Sequence, residues 1–298
     1  MTSERAYQVR GQFFAAEPIS SGLYIAATPI GNLGDVTLRA LETIAAADLL
    51  ACEDTRVTSR LTQHYGISTP LIAYHEHNAE RQRPRILAAI GEGGAVALVS
   101  DAGTPLISDP GYRLVIDAIA AGHDIIPIPG ASAVLAGLVG AGLPTDRFLF
   151  AGFLPAKAAA RKKKLADLSS LTATLIFYEA PRRVAATLAD MAATLGQDRQ
   201  ATVARELTKM FETFRRGTLD TLAGAFSSEA PPKGEVTIVV GPPPADVPDQ
   251  VEIDTLLRQR MKQVSLAEAV AEVTTATGAA RKLVYRRALA VNAIDDPE

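Results

Sequence analysis

Ala95-Val-Ala-Leu-Val-Ser-Asp-Ala-Gly-Thr-Pro-Leu-Ile-Ser-Asp-Pro-Gly111 decides how this chain is read. Its first half is an unbroken run of small apolar residues, the pattern of a strand buried on both faces and therefore of a parallel sheet. Its second half packs Asp, Ser, Thr, Gly and Pro into a loop longer than the two to six residues that a strand-to-helix turn needs. Loops of this kind at the C-terminal ends of parallel strands are where open α/β sheets hold their ligands. An elaborate Asx-type turn is the competing reading.

The same rhythm extends outward from it. Strands are predicted at 23–27, 48–53, 71–75, 95–100 and 124–128, each followed by an amphipathic helix at 36–47, 55–65, 79–90, 112–121 and 131–139. Five such alternations with short loops specify a mostly parallel five-stranded sheet covered by helices, over residues 22–144. A second unit, 145–241, has strand candidates at 148–152, 173–178, 201–205, 211–217 and 235–240. The neighbouring strands near 201–217 read as a hairpin, so this sheet is predicted to be mixed. Residues 242–250, within and beyond Gly-Pro-Pro-Pro-Ala-Asp-Val-Pro (241–248), read as a stiff linker. Beyond it, 251–298 reads as three short helices in a helix-turn-helix-like arrangement, with Ser265 and Glu268 as a capping box. Residues 1–21 lack the apolar core of a signal peptide and read as a flexible extension. The fold class is thus α/β: two α/β domains plus a small C-terminal helical domain.

Composition bounds the function. The 298 residues are 48% hydrophobic and 21% charged, with a formal net charge of −3. That excludes a disordered chain and argues against a uniformly basic nucleic-acid binder. The charge is unevenly spread, however. Lys157, Arg161, Lys162, Lys163 and Lys164 fall in eight residues without an acid, and 258–287 holds seven basic and two acidic residues. A charge run is usually a solvated face, yet two basic islands on an acidic body could also flank an RNA backbone. The candidate RNA contacts are those five residues and Arg281, Lys282, Arg286 and Arg287. The single cysteine, Cys52, excludes an internal disulfide and sits beside acids, which disfavours a reactive thiolate. No apolar run is long enough to span a membrane. There is neither a Cys-x-x-Cys pair nor a His-Glu-x-x-His, and no metal is expected; His75 and His77 have strand-like spacing that would put them on one face.

Two further loops share the strand-end position of the first. Thr28-Pro-Ile-Gly-Asn-Leu-Gly-Asp35 follows the first strand and Pro129-Gly-Ala-Ser-Ala-Val134 follows the fifth. Neither matches a Rossmann or P-loop fingerprint. In the second unit, Phe177-Tyr-Glu-Ala-Pro-Arg-Arg183 and Ala204-Arg-Glu-Leu-Thr-Lys209 turn polar directly after apolar strands. Their charges suit either a catalytic set or a salt-bridged structural network.

These loops, in this order, resemble the ribosomal RNA small-subunit methyltransferase I family of the tetrapyrrole methylase superfamily. The matching pieces are LYIAATPIGNLGD (23–35), ACEDTR (51–56), SDAGTPLISDPG (100–111), PIPGASA (127–133), FLFAGFLP (148–155), FYEAPRR (177–183), ARELTK (204–209) and GEVTIVVG (234–241). The resemblance implies a cytoplasmic, homodimeric enzyme acting on 16S rRNA of the small ribosomal subunit. It implies 2′-O-methylation of a decoding-centre cytidine, with S-adenosyl-L-methionine as donor, in a cleft between the two α/β domains. Carried over by position, Pro29 and Ile30 lie beside the donor, with Asp101, Gly103 and Thr104 in the second loop and Ser132 and Ala133 in the third. Tyr178 and Ala204 reach it from the second domain. Glu179 and Glu206 are candidate bases, and Arg182 and Lys209 candidate oxyanion or phosphate contacts, from their place after second-domain strands. A precorrin C-methyltransferase and a non-catalytic RNA-binding module are the alternatives. The helical tail speaks against the first and the three-loop cleft against the second.

Overall fold

The computed structural model describes residues 5–109, 111–244, 250–279 and 281–295. The chain falls into two compact units, Met1–Gly241 and Pro242–Glu298.

The first departure from expectation is at the start. Residues 6–15, read from the sequence as part of a flexible extension, form an antiparallel hairpin of β1 (Ala6–Val9) and β2 (Gln12–Ala15). Both turn residues, Arg10 and Gly11, have positive φ, which matches the twist that a two-residue hairpin turn requires. Tyr7 is buried among Leu41, Leu61 and Tyr65, and its ring stacks on Phe14. The Gln8 amide donates to the Tyr65 carbonyl at 2.7 Å. Strands of four residues leave too short a pattern to be read in sequence.

The predicted parallel sheet is present. β3 (Gly22–Ala26), β4 (Leu49–Cys52), β5 (Leu71–Ala73), β6 (Ala95–Val99) and β7 (Ile125–Ile128) pair in the order β5-β4-β6-β3-β7, every neighbour parallel. β3 and β6 are buried at all five positions, because helices cover both faces. α1 (Leu38–Ala46) and α2 (Thr55–His64) close one face around Leu41, Ile44, Leu50 and Leu61. α3 (Ala79–Gly91) and α4 (Tyr112–Ala120) close the other around Ile86, Ile90, Leu98 and Leu114. Thr37 and Asp54 cap α1 and α2, accepting from the Ala40 and Arg56 amides. β5 stops at Ala73, earlier than predicted. Asn78 ends it, donating to the Ala73 carbonyl at 3.0 Å and accepting from the His75 amide at 2.9 Å. His75 and His77 therefore lie in a turn and not along one face of a strand.

α5 (Ala133–Ala141) turns away from this sheet to a second one. That sheet is mixed, as expected. It contains β8 (Phe148–Phe153), β9 (Thr174–Glu179), β10 (Gln200–Arg205), β11 (Thr213–Thr218) and β12 (Val236–Val240) in the order β11-β10-β12-β9-β8. β10 and β11 form the predicted hairpin, and only β8 and β9 run parallel. One face is covered by α6 (Ala158–Leu168), α7 (Val184–Leu195) and α8 (Leu219–Ser228) over a core of Leu165, Phe177, Leu188 and Ile238. The other face takes α5, with Val134, Leu138 and Ala141 against Ile176 and Val239. The two sheets thus belong to one unit, with α5 between them.

In the second unit, α9 (Gln250–Met261), α10 (Leu266–Thr277) and α11 (Arg281–Asp295) enclose Ile253, Leu257, Val270, Val273 and Val284. The Ser265–Glu268 capping box is formed, and Gly278 ends α10 in the left-handed conformation.

Of the basic residues expected at an RNA surface, Arg161 serves the core instead, and Arg287 is paired within the helical unit. Arg161 is buried; its Nε and Nη2 bond Asp190 of α7 at 2.7 and 2.6 Å, and its Nη1 donates to the Ala156 carbonyl. Arg287 pairs with Asp254 and ties α11 to α9. Arg161, buried beside its carboxylate, is neutralised where it stands and is not offered to a phosphate; Arg287 is half-buried, and Asp254 competes for it. Lys157, Lys163 and Lys164 are exposed on or beside α6, as are Arg281, Lys282 and Arg286 on α11. Lys162 is exposed but lies 3.4 Å from Asp190.

Asp190→Ala leaves the Arg161 charge buried without its partner. Denaturant unfolding is expected to show a loss of about 3–5 kcal/mol. Lys163→Gln and Lys164→Gln should each stay within about 0.5 kcal/mol. Equal, small effects for all three would contradict the buried role of Arg161.

Candidate active site

Three strand-end loops of the first sheet are bonded to one another. Thr28 and Gly103 exchange main-chain hydrogen bonds at 2.9 and 3.0 Å, linking the loop after β3 to the loop after β6. The Thr28 hydroxyl donates to the Ser100 carbonyl, and the Thr104 hydroxyl to the Ala131 carbonyl in the loop after β7. The three loops make one rigid rim. Facing it across a cavity of about 380 Å3 is the second sheet, through Tyr178, Glu179 and the segment Gly234–Thr237.

Of the residues expected around a ligand, Ile30, Gly103, Thr104, Ser132, Ala133, Tyr178 and Glu179 line this cavity. Ser132 is the residue before α5 and makes no side-chain capping bond, so its hydroxyl is not spent on the helix. Three expected residues stand behind the lining. Pro29 is buried. Asp101 accepts from the Asp54 amide at 3.0 Å and so ties the loop after β6 to the loop after β4. Ala204, fully buried, pairs with Thr237 and packs with Ile30 and Leu207 as the cavity's support.

The sequence reading passed over several lining residues. Ile107, Ser108 and Asp109 come from the second half of the loop quoted at the outset; Phe153, Pro181 and Thr237 come from matched motifs in and around the second sheet. Burial pushes the Asp109 carboxyl up, with the Asp101 charge adding to it and a hydrogen bond to Ser100 opposing it. Burial likewise pushes the Tyr178 phenol up to about 12, so it stays neutral at physiological pH. Its ring meets Phe150 and Phe153 edge-on, with centroids 4.8 and 5.6 Å away. The pocket is mostly apolar and aromatic, with hydroxyls on its rim and three acids in its lining, Asp109, Glu179 and Glu235.

The four candidate catalytic residues are placed differently from one another. The Glu179 side chain is wholly buried. It accepts from the Ala180 amide at 2.7 Å and the Thr187 hydroxyl at 2.6 Å, and lies 3.2 Å from Arg183 Nε. Glu206 accepts from Lys209 Nζ and from the Glu235 amide, both at 2.9 Å. The lysine beside it holds its carboxyl below the usual range. Both carboxylates are thus committed to the fold around the cavity, which is positioning work. Lys209 also reaches Glu235 at 3.2 Å. Its alkyl chain crosses to the first sheet and lies on Gly31, where a Cβ would stand 2.5 Å from Lys209 Cε. Only glycine admits that approach. Arg182 is exposed on the turn Pro181–Arg183.

Comparison with known proteins identifies the family. Residues 22–223 match the family model of the tetrapyrrole (corrin/porphyrin) methylases, and residues 247–291 match the RsmI C-terminal HTH domain. A "Ribosomal RNA small subunit methyltransferase I" of Mesorhizobium japonicum is 51% identical over 274 residues, covering 92% of this chain and 93% of its own. The protein of that name from Synechocystis sp. is 47% identical, covering 91% and 98%. Among solved structures, a cobalt precorrin-4 methyltransferase aligns with a TM-score of 0.56 at 19% identity, over 74% of this chain and 94% of its own. A diphthine synthase aligns at 0.55 and 16%, over 74% and 89%; both likenesses concern the fold. Matched by the methylase model over most of its length and about half identical to these relatives across nine-tenths of the chain, it belongs to the ribosomal RNA small subunit methyltransferase I family of the tetrapyrrole methylases.

Proposed function

We propose that this chain methylates the 2′-hydroxyl of a decoding-centre cytidine in small-subunit ribosomal RNA, using S-adenosylmethionine. The observation that carries the reading is the cavity between the sheets, in a chain about half identical to rRNA methyltransferases over nine-tenths of its length. The cavity falls in the range of about 300–1,000 Å3 typical of small-molecule sites. Its aromatic and aliphatic walls suit a purine, its free hydroxyls a ribose, and the Asp109 carboxyl at its edge a cationic sulfur.

When bound, the donor supplies an electrophilic methyl carbon on a sulfonium. The rest of the work is alignment. Ile30, Thr104 and Ser132 fix one side of the ligand, and Tyr178 and Thr237 the other, which holds the methyl group on a fixed line toward the acceptor oxygen. Glu179 keeps Ala180 and Pro181 in the wall; Glu206 and Lys209 keep Gly234–Glu235 there. Arg182, exposed nearby in the chain, is the proposed phosphate contact. Asp109 is better placed than Glu179 or Glu206 to receive the hydroxyl proton, because it faces the cavity with no cation bound to it among the described residues.

Lys157, Lys163 and Lys164 on or beside α6, and Arg281, Lys282 and Arg286 on α11, are the proposed RNA contacts. A second copy of the chain is the proposed partner for exposed apolar residues, Tyr112, Ile116 and Ile119 of α4 and Leu135 and Val139 of α5. Among the described residues no helix is long and apolar enough to cross a membrane, and the cytoplasm, where ribosomes are assembled, is the proposed location.

Labelled S-adenosylmethionine, offered with small ribosomal subunits, naked rRNA or a precorrin, tests the reaction. Nuclease digestion should place the label in 2′-O-methylcytidine; label in the tetrapyrrole instead would overturn the reading. In a second experiment, Lys163→Gln with Lys164→Gln should weaken RNA binding and lower its salt slope by roughly one per lost phosphate contact. Donor affinity should be unchanged; loss of both together would remove α6 from the RNA surface.

A further inference from the structure

The loop after β10 carries two large apolar side chains in open solvent: Met210 is 90% exposed and Phe211 67%. The loop beneath them is not loose. Leu207 anchors it, buried against Ile30 and Ala204. Lys209 Nζ joins Glu206 and Glu235. The Thr208 amide donates to Glu212 Oε2 at 2.7 Å, and Arg205 Nη2 to the Phe211 carbonyl at 3.2 Å. Glu206 and Thr208 are held at φ of +53° and +64°. That conformation is costly for residues with a Cβ, most of all for a β-branched threonine. Backbone strain kept under so many braces indicates a tip that must stay in one place.

That place is beside the cavity. Ile30, which packs on Leu207, and Glu235, which is bonded to Lys209, are both cavity-lining residues. The charge around the tip is also informative. Arg205 spends its hydrogen bonds on the carbonyls of Phe211 and Lys233, and Lys233 is itself exposed. Among the described residues neither cation has a salt bridge. Glu206, Glu212 and Glu235 balance Arg205, Lys209 and Lys233 around the tip, so what it offers is a rigid aromatic face beside the cavity that an RNA substrate has to reach.

We propose that loop 206–212 is a nucleobase-binding wedge: Phe211 stacks on an unpaired base of the substrate RNA, with Met210 packed beside it, and so holds the strand open next to the cavity. The proposal rests on the reading that the substrate is RNA. It adds the residues that grip a base, which neither the motifs nor the basic islands supplied. Stacking of this kind is tolerant of base identity and depends on an unpaired strand.

The chain contains no tryptophan, so Phe211→Trp places a lone fluorophore at the tip. Titration with protein-free small-subunit rRNA should quench and shift its emission while affinity stays near that of the unaltered chain. Phe211→Ala should bind the same rRNA roughly 5- to 150-fold more weakly, with S-adenosylmethionine affinity unchanged. Unchanged emission at saturating rRNA, or unweakened binding by Phe211→Ala, would overturn the wedge and leave the RNA reading intact. Failure of the unaltered chain to bind or methylate rRNA would overturn both. Emission that changes with protein concentration alone would make the tip a contact between copies, which also overturns the proposal.

Discussion

Close approach of α5 to the second sheet is the constraint on which the rest of the unit depends. The helix begins at the rim of the first sheet and packs along the second. Gly140 makes the distance possible: a Cβ there would stand 2.3 Å from the Phe214 ring. Gly137 does the same one turn earlier, 3.0 Å from Thr237. The far end of the helix is then held from the sheet side, because Thr202 and Arg216 donate to its last carbonyls. A cation and a hydroxyl at a helix C-terminus satisfy groups that would otherwise be buried unpaired. With both ends fixed, the N-terminal turn of α5 can sit on one side of the cavity and Thr237 on the other, with no adjustable joint between them.

Ion pairs around the cavity extend the same logic. Glu179, Arg183 and Thr187 fix the turn after β9, and Glu206, Lys209 and Glu235 fix the two loops opposite Gly31. These charged residues were natural candidates for acid–base chemistry. Methyl transfer from a sulfonium gains more from a fixed line of approach than from a strong base, so charge spent on rigidity is consistent with that chemistry. The two networks also keep the charge in the wall paired: Glu179 is wholly buried against Arg183 and Thr187, and Glu235 is held by Lys209.

Much of the fold was legible in the chain. Continuous apolar runs such as Ala95–Val99 declared a sheet covered on both faces, and the capping box at Ser265 gave the start of α10. The short hairpin at Ala6–Ala15 was not legible, since its strands offer one buried side chain, Tyr7, as their whole signal. Of the site, the three rims could be read from loop composition. What could not be read was which charges are consumed by partners distant in sequence. Arg161 finds Asp190 across 29 residues and Arg287 finds Asp254 across 33, and no local pattern distinguishes them from the exposed Lys163 or Arg286. Asp109 was missed for the opposite reason: it lay in the decisive loop, but only the fold shows that the second half of that loop returns to the cavity.

A crystal structure of the chain soaked with S-adenosylmethionine tests the central claim most directly. The ligand is expected between Ile30, Thr104 and Ser132 on one side and Tyr178 and Thr237 on the other, with its sulfonium facing the cavity's open edge near Asp109. A ligand bound elsewhere on the chain, with this cavity left to solvent at saturating concentration, would contradict it.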